Sequence, residues 1–332
     1  MNSHANPLVI LAPMAGITDL PFRTVVARFG VDRVVSEMIA SADILTKRPG
    51  TRAKAELGLD AANTAVQLAG CEARWMAEAA RLCEAGGARV IDINMGCPAK
   101  KVTRASGFGA SGSALMRDPD HALRLIEAVV AAVSVPVTLK TRLGWDHDTL
   151  NAAEIARRAE NAGVSLIAIH GRTRSQFYKG QADWGAIAAV TQAVSIPVIA
   201  NGDIRDIETA RRALRLSGAS GVMIGRAARG CPWLPAQVAA VLGGGRPPET
   251  PEAGARAALV AEHYDAMLRF YGRDHGLRVA RKHLGWYMEA EAVPADLRRR
   301  MLTATEPATV LALLPDVFSA PTDDALCAEV AA

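Results

Sequence analysis

Asn94, Met95, Gly96, Cys97 and Pro98 close an apolar, β-branched run that begins at Val90. Such a run reads as a strand buried along its length, and Pro98 stops it. The thiol then stands at the carboxyl end of a buried strand, where α/β proteins bind their ligands. Three kinds of chemistry are open to it. A buried structural thiol is the common fate of a free cysteine. A nucleophile needs a lowered pKa and a nearby base. A general acid must keep its proton, as an unperturbed thiol of pKa about 8.5 does at neutral pH. Lys100 and Lys101 would favour the thiolate if they lay close. Placement alone does not choose among the three.

Polar residues close the other apolar runs in the same way. Pro13, Met14 and Ala15 follow the first, and Gln67 ends the third. Lys140 and Arg142 end the fifth, and His170 with Arg172 the sixth. Asn201, Gly202 and Asp203 follow the seventh, and Gly225 with Arg226 the eighth. One such residue is ordinarily a solvated cap, but a set repeated across seven strand ends is a constellation. The last two loops carry glycine beside a cation. Backbone N–H groups and a helix N-terminus hold phosphate there in many barrels, so a phosphate-bearing ligand is expected. Lys140 and His170 would sit deeper, against the ligand's ring or its phosphate. Gly107-Phe108-Gly109-Ala110-Ser111-Gly112 matches the dinucleotide fingerprint, but no strand leads into it, so it reads as loop.

The elements that must position these residues are short β-branched runs alternating with longer Ala/Arg/Glu-rich segments. Strands are expected at Leu8–Ala12, Arg33–Glu37, Thr64–Leu68, Arg89–Asn94, Pro136–Lys140, Leu166–His170, Pro197–Ala200 and Gly221–Ile224. Helices are expected between them, including Glu72–Glu84, Pro119–Val133, Ala152–Asn161, Trp184–Val194 and Ile207–Leu216. Alternation of this kind means parallel βα units. Eight units point to a (β/α)8 TIM barrel over residues 1–242. An open doubly wound sheet would gather the polar residues at one switch point instead. Gly243 to Pro248 reads as a linker, and a small all-helical C-terminal domain is expected over residues 247–320.

The chain has 332 residues, half of them apolar, and a formal charge of +4. A mildly basic balance permits a polyanionic partner without demanding one. The five cysteines are odd in number and never at C-x-x-C spacing, which points away from a disulfide framework or a metal site and toward a reducing cytoplasm. No leader pattern is visible, and no apolar stretch approaches the ~20 residues of a membrane span. In the C-terminal part, Leu277, Ala280, Leu284 and Met288 share one helical face. Arg278, Arg281 and Lys282 share the next, with Trp286 nearby. Such a face is solvated in most proteins, but it also suits a phosphate backbone and a stacked base.

These motifs together resemble the tRNA-dihydrouridine synthases of bacterial B type, over nearly the whole chain. The resemblance is carried by Ala12-Pro13-Met14-Ala15-Gly16-Ile17-Thr18-Asp19 with Pro21-Phe22-Arg23, by Ser36-Glu37-Met38, and by Gln67-Leu68-Ala69-Gly70. Asp92-Ile93-Asn94-Met95-Gly96-Cys97-Pro98 is its most specific run. His170 to Arg174, Asn201 to Ile204, Met223 to Arg226 and Arg278 to Tyr287 complete it. The resemblance implies an FMN-dependent barrel with a helical tRNA-binding domain, and NADPH or NADH as reductant. It implies FMN contacts from Pro13, Met14, Ala15, Gln67, Lys140, His170, Asn201, Gly202, Asp203, Gly225 and Arg226. It assigns Asn94 to the target uracil and Cys97 to proton donation, which turns the three-way choice toward the acid. The basic residues Arg278, Arg281 and Lys282 would then face tRNA. The loop from Val102 to Leu115 is longer than the family pattern leads one to expect, which implies a more mobile catalytic loop. Two rivals stay open: an FMN barrel acting on a small molecule, and a catalytically silent RNA-binding protein.

Overall fold

In the computed structural model, residues 6–46, 50–58, 61–104, 109–291 and 293–319 are described. The strands are β1 (Leu8–Leu11), β2 (Arg33–Val35), β3 (Ile39–Ala40), β4 (Thr64–Ala69), β5 (Val90–Asn94), β6 (Val137–Arg142), β7 (Leu166–His170), β8 (Val198–Asn201) and β9 (Gly221–Ile224). All pair in parallel. β9 pairs with β1, and β2 pairs directly with β4, so eight strands close into a barrel. β3 is a two-residue addition against the end of β4, too short to read from sequence. The open doubly wound sheet is thereby excluded.

Closure follows from burial on both faces of every strand. Val9, Leu11, Val66, Leu68, Ile91, Ile93 and Leu139 pack outward under the helices. Ile10, Ala12, Val35, Ala65, Val90, Leu166, Ala168, Ile199 and Met223 form a separate core inside the barrel. The two sets alternate along each strand, as side chains with a period of two must. Continuing the inward set toward the strand ends gives Gln67 on β4, Asp92 and Asn94 on β5, and Thr138, Lys140 and Arg142 on β6. It gives His170 on β7 and Asn201 on β8. The register places these beside one another: Gln67 opposite Asp92, Asp92 opposite Thr138, Asn94 opposite Lys140, and Arg142 opposite His170. The barrel is filled by aliphatic side chains at its base and by polar ones at its mouth.

Several barrel helices begin at a capping side chain. Asp19 Oδ1 accepts from the Phe22 N–H at the start of helix Leu20–Ala27, with Pro21 in its first turn. Asp206 and Thr209 form a reciprocal capping box on helix Ile207–Ser217. Beyond the barrel lie four helices, Ala253–Tyr271, Arg273–Ala290, Ala295–Thr303 and Pro307–Val317. They enclose a core of their own, in which Tyr264, Met267, Leu284, Met288, Met301 and Leu314 meet. They rest on the barrel through helix Leu20–Ala27. Tyr271 Oη donates to Asp19 Oδ2 at 2.9 Å, Arg28 pairs with Glu262, and the Phe22 ring lies 5.3 Å from that of His283. Among the described residues no helix is long and apolar enough to cross a membrane.

Candidate active site

A cavity of about 490 Å³ opens at the carboxyl ends of the strands. Pro13, Met14 and Ala15 line one side after β1, and Gln67, Asn94 and Cys97 the next. Lys140 and His170 form the floor, and Asn201, Gly202, Asp203, Gly225 and Arg226 the far wall. Every barrel residue singled out in the sequence for cofactor, uracil or proton transfer therefore borders one space. Arg278, Arg281 and Lys282 do not line it.

A buried chain of amides and a carboxylate sets the Cys97 side. Thr138 Oγ1 donates to Asp92 Oδ1 at 2.6 Å, and Gln67 Nε2 donates to Asp92 Oδ2 at 2.6 Å. Gln67 Oε1 then accepts from Asn94 Nδ2 at 2.9 Å. Asn94 Oδ1 accepts from the N–H groups of Gly96 at 3.2 Å and Cys97 at 3.0 Å. Asn94 is thus the peg on which the Cys97 turn hangs. From the other side the Cys97 carbonyl accepts from Ser113 N at 3.1 Å and Ser113 Oγ at 2.8 Å. Gly112 makes that return possible: its φ is +61°, and a Cβ there would stand 2.8 Å from the Cys97 carbonyl oxygen. The backbone of Cys97 is held from both sides, and the loop of residues 102–115 expected to be mobile lies partly outside the described residues. Residues 105–108, which include Gly107 and Phe108 of the misleading glycine motif, lie outside the described residues. Lys100 and Lys101 are exposed on a short helical turn and do not line the cavity.

The opposite wall is cationic. Lys140 Nζ donates to Asn201 Oδ1 at 3.1 Å, and Asn201 Nδ2 donates to the Met223 carbonyl at 2.7 Å. Burial, then the neighbouring Arg142, pulls the Lys140 ammonium down to about 8. Burial and the charges of Arg142, Lys140, Arg172 and Arg226 hold His170 well below its ordinary value, so its imidazole is neutral. His170 Nδ1 is buried without a hydrogen-bond partner. Arg142 fixes the surrounding loops through the carbonyls of Gly96, Thr173 and Phe177.

Asp203, expected at the cofactor, borders the cavity, and its carboxylate is held by its neighbours there. Arg172 approaches it at 2.6 and 3.0 Å, Arg226 at 3.3 Å, and the Ala182 N–H at 2.7 Å. Burial pushes this carboxyl up, but the bonds from Arg172 and Ala182 and the charge of Arg226 outweigh it and hold it low. Asp203 therefore aims Arg226. Gly202 has φ +109°, and a Cβ there would meet Ala182 at 2.8 Å and the His170 ring at 3.3 Å, so only glycine fits. The helix after β8, Ile207–Ser217, begins with the capping box of Asp206 and Thr209. The turn Arg226–Ala228, which follows β9, borders the cavity.

Residues without an assigned role in the sequence also reach the cavity: Arg142, Phe177, Tyr178 and Arg229. Arg142 could have been found from its inward register on β6. Phe177 and Tyr178 sit on an irregular loop and left no periodic signal. On the C-terminal side, Ala280, Leu284 and Met288 face the helical core while Arg278 and Arg281 are exposed. Lys282 Nζ comes within 3.4 Å of where a side chain on Gly16 would begin, which brings the basic helix to the rim of the cavity. Trp286 is not an open stacking surface: Arg229 lies over its ring at 4.9 Å and His283 packs against it at 5.1 Å.

A family model described as dihydrouridine synthase (Dus) matches residues 10–321. A protein of Rhodobacter capsulatus named probable tRNA-dihydrouridine synthase is 64% identical over 315 residues, which is 95% of each chain. The tRNA-dihydrouridine synthase B of Xanthomonas axonopodis pv. citri is 47% identical over 318 residues, covering 95% of this chain and 93% of that one. Among solved structures, histamine dehydrogenase from Rhizobium sp. 4-9 is similar with a TM-score of 0.52 at 14% identity. That likeness covers 95% of this chain and 62% of the other, less than two thirds of its length, and concerns the fold alone.

Proposed function

The chain belongs to the dihydrouridine synthase family, and from that premise we propose that it reduces the C5=C6 bond of uridines in tRNA to 5,6-dihydrouridine. FMN is the cofactor of this reading and NADPH or NADH the reductant. One observation carries it: the cofactor residues, Asn94 and Cys97 all border the same cavity. Its volume of about 490 Å³ is in the range of small-ligand sites. The residues present fit the group. Arg226 and Lys140 offer cations to a phosphate, Gly202 leaves room for it, and the orphaned Nδ1 of His170 awaits a polar partner.

Pro13, Met14, Ala15, Gln67, Lys140, His170, Asn201, Gly202, Gly225 and Arg226 would hold FMN, with Asp203 aiming Arg226. When bound, FMN supplies the hydride that the uracil C6 accepts. The protein's task is then to deliver a proton to C5. Cys97 does this as a neutral acid, without placing a carboxylate beside a ring that becomes anionic. Asn94 holds the Cys97 turn and keeps one Nδ2 hydrogen for the uracil. The uridine must leave its stack to enter the barrel. Arg278, Arg281 and Lys282 at the rim would bind the tRNA backbone from the helical domain, residues 247–320. The catalytic domain is residues 1–242, and a tRNA substrate places the enzyme in the cytoplasm.

The test is to incubate purified protein with FMN, NADPH and tRNA lacking modifications, and to follow uridines by mass spectrometry. A gain of two hydrogens at a defined uridine is expected. Bound, reducible flavin without that gain would favour a small-molecule substrate, and absence of both would favour a silent RNA-binding protein. Cys97→Ala should keep the flavin bound and reducible yet form no product. A normal rate would remove Cys97 from proton transfer.

A further inference from the structure

Asp19, His263 and His283 meet in the seam between the barrel and the C-terminal helices. Asp19 caps helix Leu20–Ala27, His263 belongs to helix Ala253–Tyr271, and His283 belongs to the basic helix Arg273–Ala290. Their exposures are 2%, 1% and 2%. One donor atom from each lies within 4.8 Å of the other two. The Nε2 atoms of both histidines are buried and have no hydrogen-bond partner among the described residues. Buried polar atoms are almost always paired, so two orphaned imidazole nitrogens beside a carboxylate call for a ligand.

We propose that these three side chains bind a divalent transition-metal ion, with zinc as the best fit. Two imidazoles and a carboxylate with a fourth position open is a donor set that zinc takes. Imidazole donors disfavour magnesium and calcium, which want oxygen ligands throughout. His263 is already held from behind. Its Nδ1 lies 3.1 Å from Tyr287 Oη, and a proton on Nδ1 leaves the Nε2 lone pair facing the site. Asp19 accepts from Phe22 N at 3.0 Å and Tyr271 Oη at 2.9 Å, which leaves a lone pair on each oxygen.

Ligands about 2.0–2.2 Å from a tetrahedral ion stand roughly 3.4 Å apart, so the donor atoms must close by up to about 1.4 Å. Rotation of three side chains supplies that. The neighbouring charges are mixed. Arg23 and Lys282 act on the seam as cations and Glu37 as an anion. The Arg23 guanidinium is occupied by the carbonyls of Thr18 and Glu56. None of the three ligands lines the active-site cavity, so the ion's role is to position. It would bind the residue next to Lys282 to the loop that carries Gly16, and so fix the basic helix at the rim. Nothing in the assignment depends on the reaction proposed above.

The full chain is purified without chelator, equilibrated with micromolar zinc, dialysed, and assayed for metal by plasma mass spectrometry. X-ray absorption at the zinc edge then reads the ligands without interference from a flavin. The expected result is close to one ion per chain, with two imidazoles in its shell. His263→Gln and His283→Gln should each lose the ion. A chelator should lower the thermal midpoint of the natural protein and leave those variants unmoved. Asp19→Asn keeps the helix cap and should weaken retention in a chain that still folds. A natural protein folded by circular dichroism that retains no zinc overturns the proposal, as does an ion retained equally by both histidine variants.

Discussion

Replacing Lys140 by methionine separates what the site costs from what it does. The ammonium is buried beside the like charge of Arg142, with the Asp92 carboxylate as an opposing charge and one hydrogen bond to Asn201. Depression from the ordinary 10.5 to about 8 means roughly 3 kcal/mol against the charged form in the folded chain. Methionine keeps much of the volume and removes the charge. It leaves the buried Asn201 Oδ1 without its donor, at a cost of about 1–3 kcal/mol. The flavin-free variant should therefore be as stable as the natural chain near pH 7, or more stable by up to about 2 kcal/mol. The sign with pH is fixed. A base depressed by folding is penalised fully below about 8, where both states carry the proton, and the penalty disappears as pH rises from there toward 10.5. Urea unfolding near pH 7 and again near pH 10 measures this, and the variant's advantage should shrink at the higher pH. Affinity for FMN should move the other way, falling about 10- to 100-fold with the loss of a charged donor. A variant less stable than the natural chain near pH 7, or an advantage that ignores pH, would refute the reasoning.

Three other perturbations follow from the same geometry. Asp203→Asn leaves the buried Arg172 unpaired, so thermal unfolding should show a loss of about 3–5 kcal/mol, and flavin titration should show weaker binding as Arg226 loses its aim. Gln67→Leu strips a partner from both Asp92 and Asn94; equilibrium unfolding should register about 1–3 kcal/mol for each group left unsatisfied. Dihydrouridine formation should then slow, because the Cys97 turn hangs on Asn94, and flavin titration should show weaker binding, because Gln67 is among the residues that would hold FMN. Neutralising Arg278, Arg281 and Lys282 together should weaken tRNA binding and flatten its dependence on salt, read from filter binding across a salt series. An unchanged salt slope would move the RNA surface elsewhere.

The barrel was legible because its strands are buried on both faces and so announce themselves as β-branched runs. Expected and observed strands differ by a residue or two at most of their ends, and Leu166–His170 and Gly221–Ile224 coincide. The cavity residues were legible because inward positions turn from aliphatic to polar toward each strand's carboxyl end. Helix Leu20–Ala27 had a readable start, Asp19 followed by Pro21, that the strand pattern overshadowed. Asp92 was visible in the sequence, but its role was not, since that role is made of cross-strand neighbours on β4 and β6. The orientation of Asp203 toward Arg172 and the shielding of Trp286 by Arg229 depend on loop packing that no local pattern encodes. The same holds for the seam, whose three donors come from distant parts of the chain.

The pairing of β1 with β9 sets a schedule for the nascent chain. β1 meets β2 early, but its other edge stays open until Gly221–Ile224 has left the ribosome. At about 5–20 residues per second that interval lasts roughly 10–40 s. Through it, Val9, Ile10 and Leu11 present an apolar strand edge with no partner, the kind of surface that chaperones hold and that pairs with other chains. Helix Leu20–Ala27 waits longer still, because the face that meets Tyr271 and His283 is covered only after the basic helix is made. The amino-terminal segment that begins the active site is thus among the last to be locked in place. Premature termination between β8 and the basic helix would leave a barrel that is nearly complete yet prone to aggregate.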